Sequence, residues 1–352
     1  LLNAYAPTAK KEMFELQVLA KELEGESFEL MPWDLAYYAE KLKEKKFNFN
    51  EEELRPYFEL GQVIQGVFGL ATLLYDITFK ENKKIPVYHP DVKAYEVHDK
   101  NGDFLAILYA DFHPRAGKRS GAWMTSYKEQ WKDEKGNSRP HVSVTMNFTK
   151  PSEERPALLT FSEVNTFLHE FGHALHGIFA DTTYSSMSGT NVFWDFVELP
   201  SQFMENFATE KEFLNTFAKH YQTGASIPEE LVQRIIDSSN HLVAYSCLRQ
   251  LSFGLLDMAW YTRTTPFDGD VKVYEKDAME KAQVFPTLKE ACMSVQFPHI
   301  MSGGYAAGYY SYKWAEVLDA DAFSHFKDYG LFNKEVANSF RENVLSKGGT
   351  EH

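Results

Sequence analysis

The sequence feature that most constrains the fold is the pentapeptide His169-Glu170-Phe171-Gly172-His173, because its surroundings predict a long, partly buried helix. Thr160 and Glu163 have the spacing of a capping box, which predicts a helix start at that point. The pentapeptide therefore falls inside an amphipathic helix, with its two histidines four residues apart. The apolar residues that follow at helical spacing predict its buried stripe, and they are Val164, Phe167, Leu168, Phe171, Ala174, Leu175 and Ile178.

The two histidines of this helix are spaced for metal binding. Residues four apart on a helix stand one above the other, so His169 and His173 can present both imidazoles to one zinc ion. Glu170 is rotated by about 100° from His169, which suits a general base that takes a proton from metal-bound water. About 0.04 chance matches to this pattern are expected for this composition, which favours a metal site over surface histidines. His176 lies on the same face as His169, and we expect it to pack or to support a ligand.

A catalytic zinc needs a third protein ligand, and the residue pattern leaves its identity open. The metzincin motif, which supplies a third histidine ligand, is absent because position 179 is Phe rather than His. A helix predicted from Asp195 to Glu205 places Glu198 and Glu205 on one face. Either could then bind the metal while the other, or Asp195, holds a ligand imidazole. Asp181 is a further acidic candidate.

The pattern along the chain predicts three consecutive segments of a mainly α fold. Helices are expected over residues 1–80, a small sheet over about 86–150, and the helical catalytic part over about 160–352. We find no repeat of fixed period, which argues against a solenoid.

Local signals predict the individual elements. Amphipathic stretches predict two early helices and a third that begins near Pro56. An Asn-Gly turn between two apolar runs predicts a β-hairpin, and Ser226-x-x-Glu229 predicts a later helix start. The predicted early helices span 8–24 and 33–45, and the predicted hairpin strands span 92–97 and 104–112.

The strand predicted at 142–148 alternates apolar and polar residues, which is typical of a half-buried strand. It is either an ordinary internal strand or an edge strand that pairs with an extended peptide substrate. The basic stretch with Arg115, Lys118 and Arg119 is expected to be a solvated loop.

Composition excludes several classes of protein. With 36 Lys and Arg against 50 Asp and Glu, the 352 residues carry a formal charge of −14, which argues against a nucleic-acid binder. No apolar run is long enough for a membrane span, and two cysteines leave the redox compartment open. Because the chain starts at Leu1 and stops after the run Lys347–His352, we expect a piece of a longer polypeptide. We expect a cytoplasmic location, with the periplasm as the alternative because the native N-terminus is not present.

A second cluster of chemically useful residues lies between His299 and Tyr312 and combines glycines with four tyrosines. Glycines let a backbone approach a ligand, and phenol or imidazole groups can donate to a developing oxyanion. The alternative is a tyrosine-rich packing segment that leads into a helix with Trp314 and Val317. Composition alone slightly favours that alternative.

Four blocks resemble the signatures of the thimet oligopeptidase and neurolysin family of zinc peptidases. They are His169–His176 (HEFGHALH), Ser188–Asn191 (SGTN), Asp195–Gln202 (DFVELPSQ) and Gly303–Tyr312 (GGYAAGYYSY). Within the family, residues 90–92 and 306–310 are more similar to the bacterial peptidyl-dipeptidases, also called dipeptidyl carboxypeptidases, and to oligopeptidase A. The resemblance covers nearly the whole chain.

The resemblance implies a role for each candidate residue. It makes Glu170 the general base, and Glu198 lies at the family's spacing of 29 residues after His169. It implies that Tyr305 and Tyr312 face the scissile carbonyl and that His299 contacts substrate near the metal, with Tyr309 as a lesser candidate. The implied zinc ligands are His169, His173 and Glu198.

The resemblance also implies a zincin-like catalytic domain, mainly α, with a small antiparallel-containing sheet beside the zinc helix. The family has a deep channel between two mainly helical halves. This chain corresponds to the catalytic half, without most of the N-terminal helical half and a short C-terminal stretch.

These observations lead to one principal hypothesis and two alternatives. The chain is expected to be a monomeric zinc metallopeptidase with one Zn²⁺, which hydrolyses short unfolded peptides and releases C-terminal dipeptides. The first alternative is an endo-oligopeptidase of the same family. The second is an inactive peptide- or metal-binding module. No nucleic-acid or membrane partner is expected.

Overall fold

A computed structural model describes residues 1–286 and 288–351, so His352 at the end of the terminal run lies outside it. The strands are β1 Thr78–Glu81, β2 Lys93–His98, β3 Phe104–Asp111, β4 Trp123–Lys128, β5 Trp131–Asp133, β6 Gly136–Ser138 and β7 His141–Thr145. The α-helices are α1 Leu2–Glu24, α2 Leu35–Phe47, α3 Leu60–Tyr75, α4 Phe161–Phe179, α5 Trp194–Val197, α6 Leu199–Glu205, α7 Lys211–Phe217, α8 Glu229–Ser238, α9 Val243–Tyr261, α10 Val271–Met279, α11 Pro298–Met301, α12 Ser311–Tyr329 and α13 Lys334–Phe340. A mainly α fold with a small sheet is confirmed.

The chain forms two compact units, each built from two separate stretches. The first contains Leu1–Asn50 and Gln233–Trp314, and the second contains Glu51–Val232 and Ala315–His352. The three consecutive segments predicted from sequence describe the order of element types, whereas these units join stretches that are distant in sequence. Among the described residues, no helix is both long and apolar enough to cross a bilayer.

The second unit contains a five-stranded sheet with the order β1-β2-β3-β7-β4. Strands β3 and β7 are parallel, and the other neighbouring pairs are antiparallel. β7 is therefore internal, and the edge-strand alternative for residues 142–148 is wrong. The prediction of a half-buried strand is also wrong, because Ser143 and Thr145 are buried as well as Val142 and Val144. The Ser143 hydroxyl donates to the Thr125 carbonyl oxygen, which accommodates its polar group.

The predicted hairpin is confirmed. Strands β2 and β3 pair in antiparallel fashion with a register shift after Val97. In the turn, the Asp99 carboxylate accepts hydrogen bonds from the backbone N–H groups of Asn101 and Asp103. Gly102 has a φ of 86°, in the left-handed region that glycine tolerates best. The Asn-Gly signal thus marks the turn that sets this strand pairing.

Helix α4 starts as the sequence predicts. Thr160 caps it by accepting from the Glu163 backbone N–H, and the Glu163 carboxylate accepts in return from the Thr160 backbone N–H. The apolar stripe is buried, with Phe171 beside Phe68 of α3 at a ring separation of 5.7 Å. Burial of this stripe supplies most of the helix's stability, because an isolated helix of this length is marginal in water.

Three predicted helix starts need correction. The third helix begins at Leu60 rather than near Pro56, because the Glu59 carboxylate caps the backbone N–H groups that follow it. The first helix begins at Leu2, ahead of residue 8. Ser226 does not start a helix, because it forms an isolated β-bridge with Lys219 and α8 begins only at Glu229.

The basic stretch after β3 is a solvated loop only in part, because Arg119 is exposed but Arg115 and Lys118 are bound to Asp111. The side chain of Lys118 is only 3% exposed, and its Nζ donates to Asp111 Oδ1 at 2.9 Å. Arg115 forms two hydrogen bonds of 2.8 Å with the same carboxylate. Burial alone would raise the pKa of Asp111, but these two cations outweigh it and lower the pKa. Arg115 and Lys118 therefore stabilise the end of β3.

The first unit packs α1 against α9. Leu16 and Leu19 of α1 belong to an apolar cluster that also includes Tyr38 of α2. The Glu12 carboxylate accepts from the backbone N–H groups of Ala244 and Tyr245, at the start of α9. A carboxylate at a helix N-terminus satisfies donors that have no partner within the helix.

Candidate metal and catalytic site

The candidate metal site lies in the second unit and combines α4 with the junction between α5 and α6. His169 and His173 stand on α4 with ring centroids 5.0 Å apart. The helix predicted from Asp195 to Glu205 is present but interrupted at one residue, because α5 ends at Val197 and α6 begins at Leu199, with Pro200 in its first turn. Glu198 lies at this break, and its side chain reaches the two imidazoles.

The three side chains fit a divalent cation. Glu198 Oε2 lies 3.3 Å from His169 Nε2 and 3.1 Å from His173 Nε2. The three candidate ligand atoms lie within 4.8 Å of one another. Two ligands of a tetrahedral zinc, each about 2.0–2.1 Å from the ion, are separated by about 3.3 Å, which matches these spacings. Two imidazoles and one carboxylate form a typical donor set of a catalytic zinc site.

Glu205 holds the first histidine. Its Oε1 lies 2.6 Å from His169 Nδ1, and its Oε2 accepts from Asn165 Nδ2 at 2.8 Å. Burial alone would lower the pKa of His169, but Glu198 and Glu205 outweigh it and raise the pKa to about 10. Of the two glutamates that the sequence left open, Glu198 lies in the group of side chains that could hold a metal ion, and Glu205 contacts the other nitrogen of the His169 ring.

Glu198 is buried and held by its own helix. Its side chain is 1% exposed, and Ser201 Oγ donates to both its Oε2 and its backbone carbonyl, at 2.8 and 2.9 Å. Burial alone would raise the pKa of this carboxyl, but hydrogen bonds with His169 and His173 lower it well below its usual range. The carboxylate is therefore held ionised, as a metal ligand must be.

Glu170 is adjacent to the cluster but is not part of it. Its side chain is buried on α4, and burial raises the pKa of its carboxyl. A carboxylate that is easier to protonate is better suited to accept a proton than an exposed one. Its place beside His169 and His173, together with its buried surroundings, fits the base predicted from the pentapeptide.

Gly172 permits close contact between α4 and α6. A Cβ atom on Gly172 would lie 2.2 Å from the Pro200 carbonyl oxygen and 2.6 Å from Ser201 Cα. Both distances are far below van der Waals contact, so no other residue fits without separating the backbones. A glycine beside the two histidines predicts close packing of another backbone, and this contact, which sets the spacing between the histidines and Glu198, confirms it.

Two other candidates lie outside the metal cluster. His176 is fully buried, and burial lowers its pKa to about 3, so the ring is neutral. Asp181 accepts from Lys132 Nζ at 2.8 Å and from Asn137 Nδ2 at 2.9 Å. The cluster found among the described residues includes neither of them, nor Asp195.

The outer strand nearest to α4 is β4. A Cβ atom on Gly177 would lie 2.9 Å from both Met124 Cε of β4 and Val142 Cγ1 of β7. β4 pairs only with β7 in the described sheet, so its other side forms an edge. A sheet edge therefore lies against the helix that carries His169 and His173, but β4 provides it rather than residues 142–148.

The Ser188–Asn191 block packs against α4 through glycines. A Cβ atom on Gly189 would lie 3.0 Å from Gly177 Cα, and one on Gly348 would lie 2.1 Å from the Met187 carbonyl oxygen. These approaches explain why glycine occurs both in the SGTN block and near the end of the chain. Gly189 therefore contacts the C-terminal half of α4, and the segment around Gly348 packs against the residues next to Gly189.

The tyrosine-rich segment belongs to the first unit. The rings of Tyr305 and Tyr312 stack with centroids 5.2 Å apart, and His299 lies 5.8 Å from Tyr305. Tyr309 is buried and packs against Phe253. The structure thus brings His299, Tyr305 and Tyr312 together and uses Tyr309 in an apolar cluster.

Asp257 holds this segment in place. It is fully buried on α9, and its two carboxylate oxygens accept from the backbone N–H groups of Ala307 and Tyr309, at 2.8 and 2.9 Å. Ala307 has a φ of 57°, which is costly for a residue other than glycine. The role of Asp257 was not predictable from the sequence, since a lone Asp within a helix gives no signal of a distant backbone partner.

A family model described as Peptidase family M3 matches residues 1–352. The chain belongs to peptidase family M3. The family resemblance proposed from the four sequence blocks is therefore confirmed, and peptidases of this family are zinc-dependent.

Curated relatives cover nearly all of this chain. Oligopeptidase A of Escherichia coli is 42% identical over 98% of the chain and 51% of its own length. Dipeptidyl carboxypeptidase of Escherichia coli is 41% identical over 100% of the chain and 52% of its own length. Saccharolysin of Saccharomyces cerevisiae is 31% identical over 99% of the chain and 51% of its own length. The chain thus spans about half the length of these relatives.

The hydrogen bond from His169 to Glu205 yields a prediction about metal affinity. Glu205→Gln keeps the shape of the side chain but removes the charge that orients the imidazole. Loss of such a supporting carboxylate weakens metal binding by about 10- to 100-fold, and we expect a change of that size in the zinc Kd. Chelator competition measures it. Glu229→Gln removes the same charge from an exposed pair with Lys211 and serves as the control; equal Kd values for the two variants would show that Glu205 does not act on the metal.

Proposed function

We propose that this chain carries the catalytic site of a zinc-dependent peptidase that hydrolyses short, unfolded peptides. The observation that carries the proposal is the cluster of His169, His173 and Glu198 with the buried Glu170 beside it. Membership of peptidase family M3 supports the same reaction class. One zinc per chain is proposed, held by the three clustered side chains.

The proposed chemistry divides the work among these residues. When bound, zinc would act as a Lewis acid for the peptide carbonyl and would lower the pKa of a water molecule. The Glu170 carboxylate accepts a proton from the attacking water and passes it to the leaving amine. Glu205 fixes the orientation of His169, and Ser201 fixes that of Glu198. The geometry of the site is therefore set before substrate arrives.

Substrate is proposed to bind as an extended strand along the free edge of β4. Main-chain hydrogen bonds to a sheet edge recognise a peptide without demanding particular side chains. Unfolded peptides meet this requirement, whereas folded proteins have few free extended segments. The position of β4 against α4 supports this assignment, since both lie in the same compact unit.

The tyrosine-rich segment is proposed to stabilise charge that develops on the scissile carbonyl oxygen. Tyr305 and Tyr312 would donate hydrogen bonds to that oxygen, and His299 would contact substrate near the metal, as the family resemblance implies. Tyr309 is a lesser candidate, because its ring is buried in an apolar cluster. Asp257 fixes the backbone that carries these side chains.

We propose release of C-terminal dipeptides as the specific activity, with endo-oligopeptidase activity as the alternative. Relatives named dipeptidyl carboxypeptidase and oligopeptidase A match this chain at nearly the same identity, so their names do not favour one of the two activities over the other. The substrate carboxylate must meet a cation in the first case, and Arg115 and Lys118 are already bound to Asp111. We therefore propose that a cation other than Arg115 or Lys118 binds the substrate carboxylate.

Product analysis separates the two activities. Matched peptides with free and amidated C-termini are incubated with the zinc-loaded protein, and the products are identified by mass spectrometry. We expect successive loss of dipeptides from the free peptides and none from the amidated ones. Internal cleavage that ignores amidation would favour the endo-oligopeptidase. Zinc binding without hydrolysis of either set would favour a non-catalytic binding module. Location in the cytoplasm and a monomeric state stay predictions.

A further inference from the structure

A second cavity in the same compact unit lies beside the C-terminal end of α4. Its volume is about 570 Å³, and its wall includes Tyr75, Phe179 and the guanidinium groups of Arg139 and Arg341. None of the residues assigned to the metal cluster lines it. The cavity is therefore separate from the proposed catalytic site.

Arg139 ties the end of α4 to the sheet through neutral partners. Its Nη2 donates to the Ile178 carbonyl at 2.6 Å, its Nη1 to the Ala180 carbonyl at 2.9 Å, and its Nε to the Leu105 carbonyl at 2.8 Å. These contacts satisfy donors but do not neutralise the charge. In the part of the chain that the structure describes, no ion pair joins Arg139 to a carboxylate.

Of the two arginines in the cavity wall, Arg341 has fewer polar partners, and the exposed Lys100 lines the same cavity. The Arg341 guanidinium lies 4.3 Å from the centroid of the Phe179 ring, and it forms no hydrogen bond or ion pair with residues 1–286 or 288–351. Burial lowers the pKa of both arginines, and repulsion from Arg341 lowers that of Arg139 further. Asp181 attracts both guanidinium groups, and Asp99 and Glu342 attract that of Arg341, but none of these carboxylates forms an ion pair with either arginine among the described residues.

Tyr75 adds an unused donor to the same wall. Its ring packs against Phe179 with centroids 5.0 Å apart, and its hydroxyl is buried with no hydrogen-bond partner among the described residues. Burial raises the pKa of this phenol, so the hydroxyl keeps its proton and remains a donor. A buried hydroxyl without a partner is rare and points to a missing acceptor.

Three of the four acidic residues of the wall have other partners, and the fourth, Glu342, attracts Arg341 without forming an ion pair with it among the described residues. Asp181 pairs with Lys132, Asp76 pairs with Lys334, and Asp99 accepts from backbone N–H groups in the β2–β3 turn. Burying a charge without a counter-ion is costly, and a bound anion removes that cost. Guanidinium groups bind carboxylate and phosphate oxygens with matching geometry.

We propose that this cavity binds a small anion through a carboxylate or phosphate group held by Arg341. The Tyr75 hydroxyl donates to the same group, and the rings of Phe179 and Phe104 pack against an apolar or aromatic body. The site selects for charge at one end of the ligand and for apolar surface at the other. Inorganic phosphate meets the first requirement, whereas phenyl phosphate and phenylacetate meet both.

Binding is tested on the zinc-loaded protein in its full natural length, by calorimetric titration with inorganic phosphate, phenyl phosphate and phenylacetate at fixed salt. We expect saturable binding at one site, tighter for phenyl phosphate than for inorganic phosphate. Arg341→Gln should weaken it by about tenfold or more. The comparison of phenyl phosphate with phenylacetate identifies the preferred head group.

Arg263→Gln is the matched control. That guanidinium also stacks on an aromatic ring, at 4.9 Å from Phe267, but it lies outside the cavity. Tyr75→Phe is the second variant, and it should weaken binding without loss of stability because the hydroxyl has no partner to lose. The proposal is overturned if none of the three probes binds saturably. It is also overturned if Arg341→Gln binds as tightly as Arg263→Gln, or, should Arg341→Gln not fold, if Tyr75→Phe leaves binding unchanged.

Discussion

Glu170→Gln is expected to lower kcat/KM for peptide hydrolysis by about 10²- to 10⁴-fold, the usual contribution of a positioned general base. Gln has the shape of Glu but cannot accept the proton at pH 7. The three clustered side chains are unchanged, so zinc should remain bound with a Kd within a few-fold of the original. Steady-state kinetics and zinc analysis on the same sample measure both quantities.

The separation of these two effects is what makes the Glu170→Gln experiment decisive. Glu229→Gln again controls for the loss of one negative charge, and it should leave hydrolysis unchanged because Glu229 is exposed and pairs with Lys211. An active, zinc-loaded Glu170→Gln protein would remove Glu170 from the mechanism. A variant that loses zinc together with activity would instead assign Glu170 a role in metal binding.

Gly172→Ala is expected to destabilise the protein and to weaken its zinc site together. The added methyl group meets the Pro200 carbonyl oxygen at 2.2 Å, so α4 and α6 must move apart. Overpacking of this kind costs about 1–3 kcal/mol, and contact with backbone rather than a flexible side chain places this case at the upper end. Because Glu198 precedes Pro200 by two residues, the same movement draws its carboxylate away from the histidines.

The matched control for this substitution is Gly69→Ala. Gly69 lies within α3 in the same compact unit, and a Cβ atom there would meet no atom within 4 Å. Alanine is the better helix former by about 0.8–1.0 kcal/mol, so this variant should be as stable as the original or more stable. Thermal unfolding and chelator competition on both variants give the comparison. Equal unfolding temperatures and equal zinc affinities would contradict the account of the α4–α6 contact.

Local sequence signals were sufficient for α4 and for the histidine pair. The capping box at Thr160 and Glu163, the apolar stripe and the i, i+4 spacing all act within one helix, so no tertiary information is needed. The same holds for the β2–β3 hairpin, whose turn is encoded by Asn101 and Gly102. Such signals identify both the element and the face that carries the chemistry.

Interactions between distant segments were not encoded in the same way. Spacing alone could not choose between Glu198 and Glu205, because the choice depends on a helix break that brings Glu198 against α4. The order of the strands in the sheet could not be predicted from the sequence either. The alternation in residues 142–148 predicts one exposed face, but β3, β4 and α4 surround this strand. Helical spacing gives a weak signal for two supporting residues. Asn165 lies four residues before His169 and donates to Glu205, and Ser201 lies three residues after Glu198 and donates to its carboxylate.

Zinc content and peptide hydrolysis, measured on one preparation during stepwise chelation and reconstitution, test the central claim most directly. The account predicts one zinc per chain, activity that falls in proportion to the zinc removed, and full recovery on addition of one equivalent. It also predicts that replacing His169, His173 or Glu198 abolishes both zinc binding and recovery. Hydrolysis that persists without zinc, or tight zinc binding that survives loss of all three side chains, would contradict it.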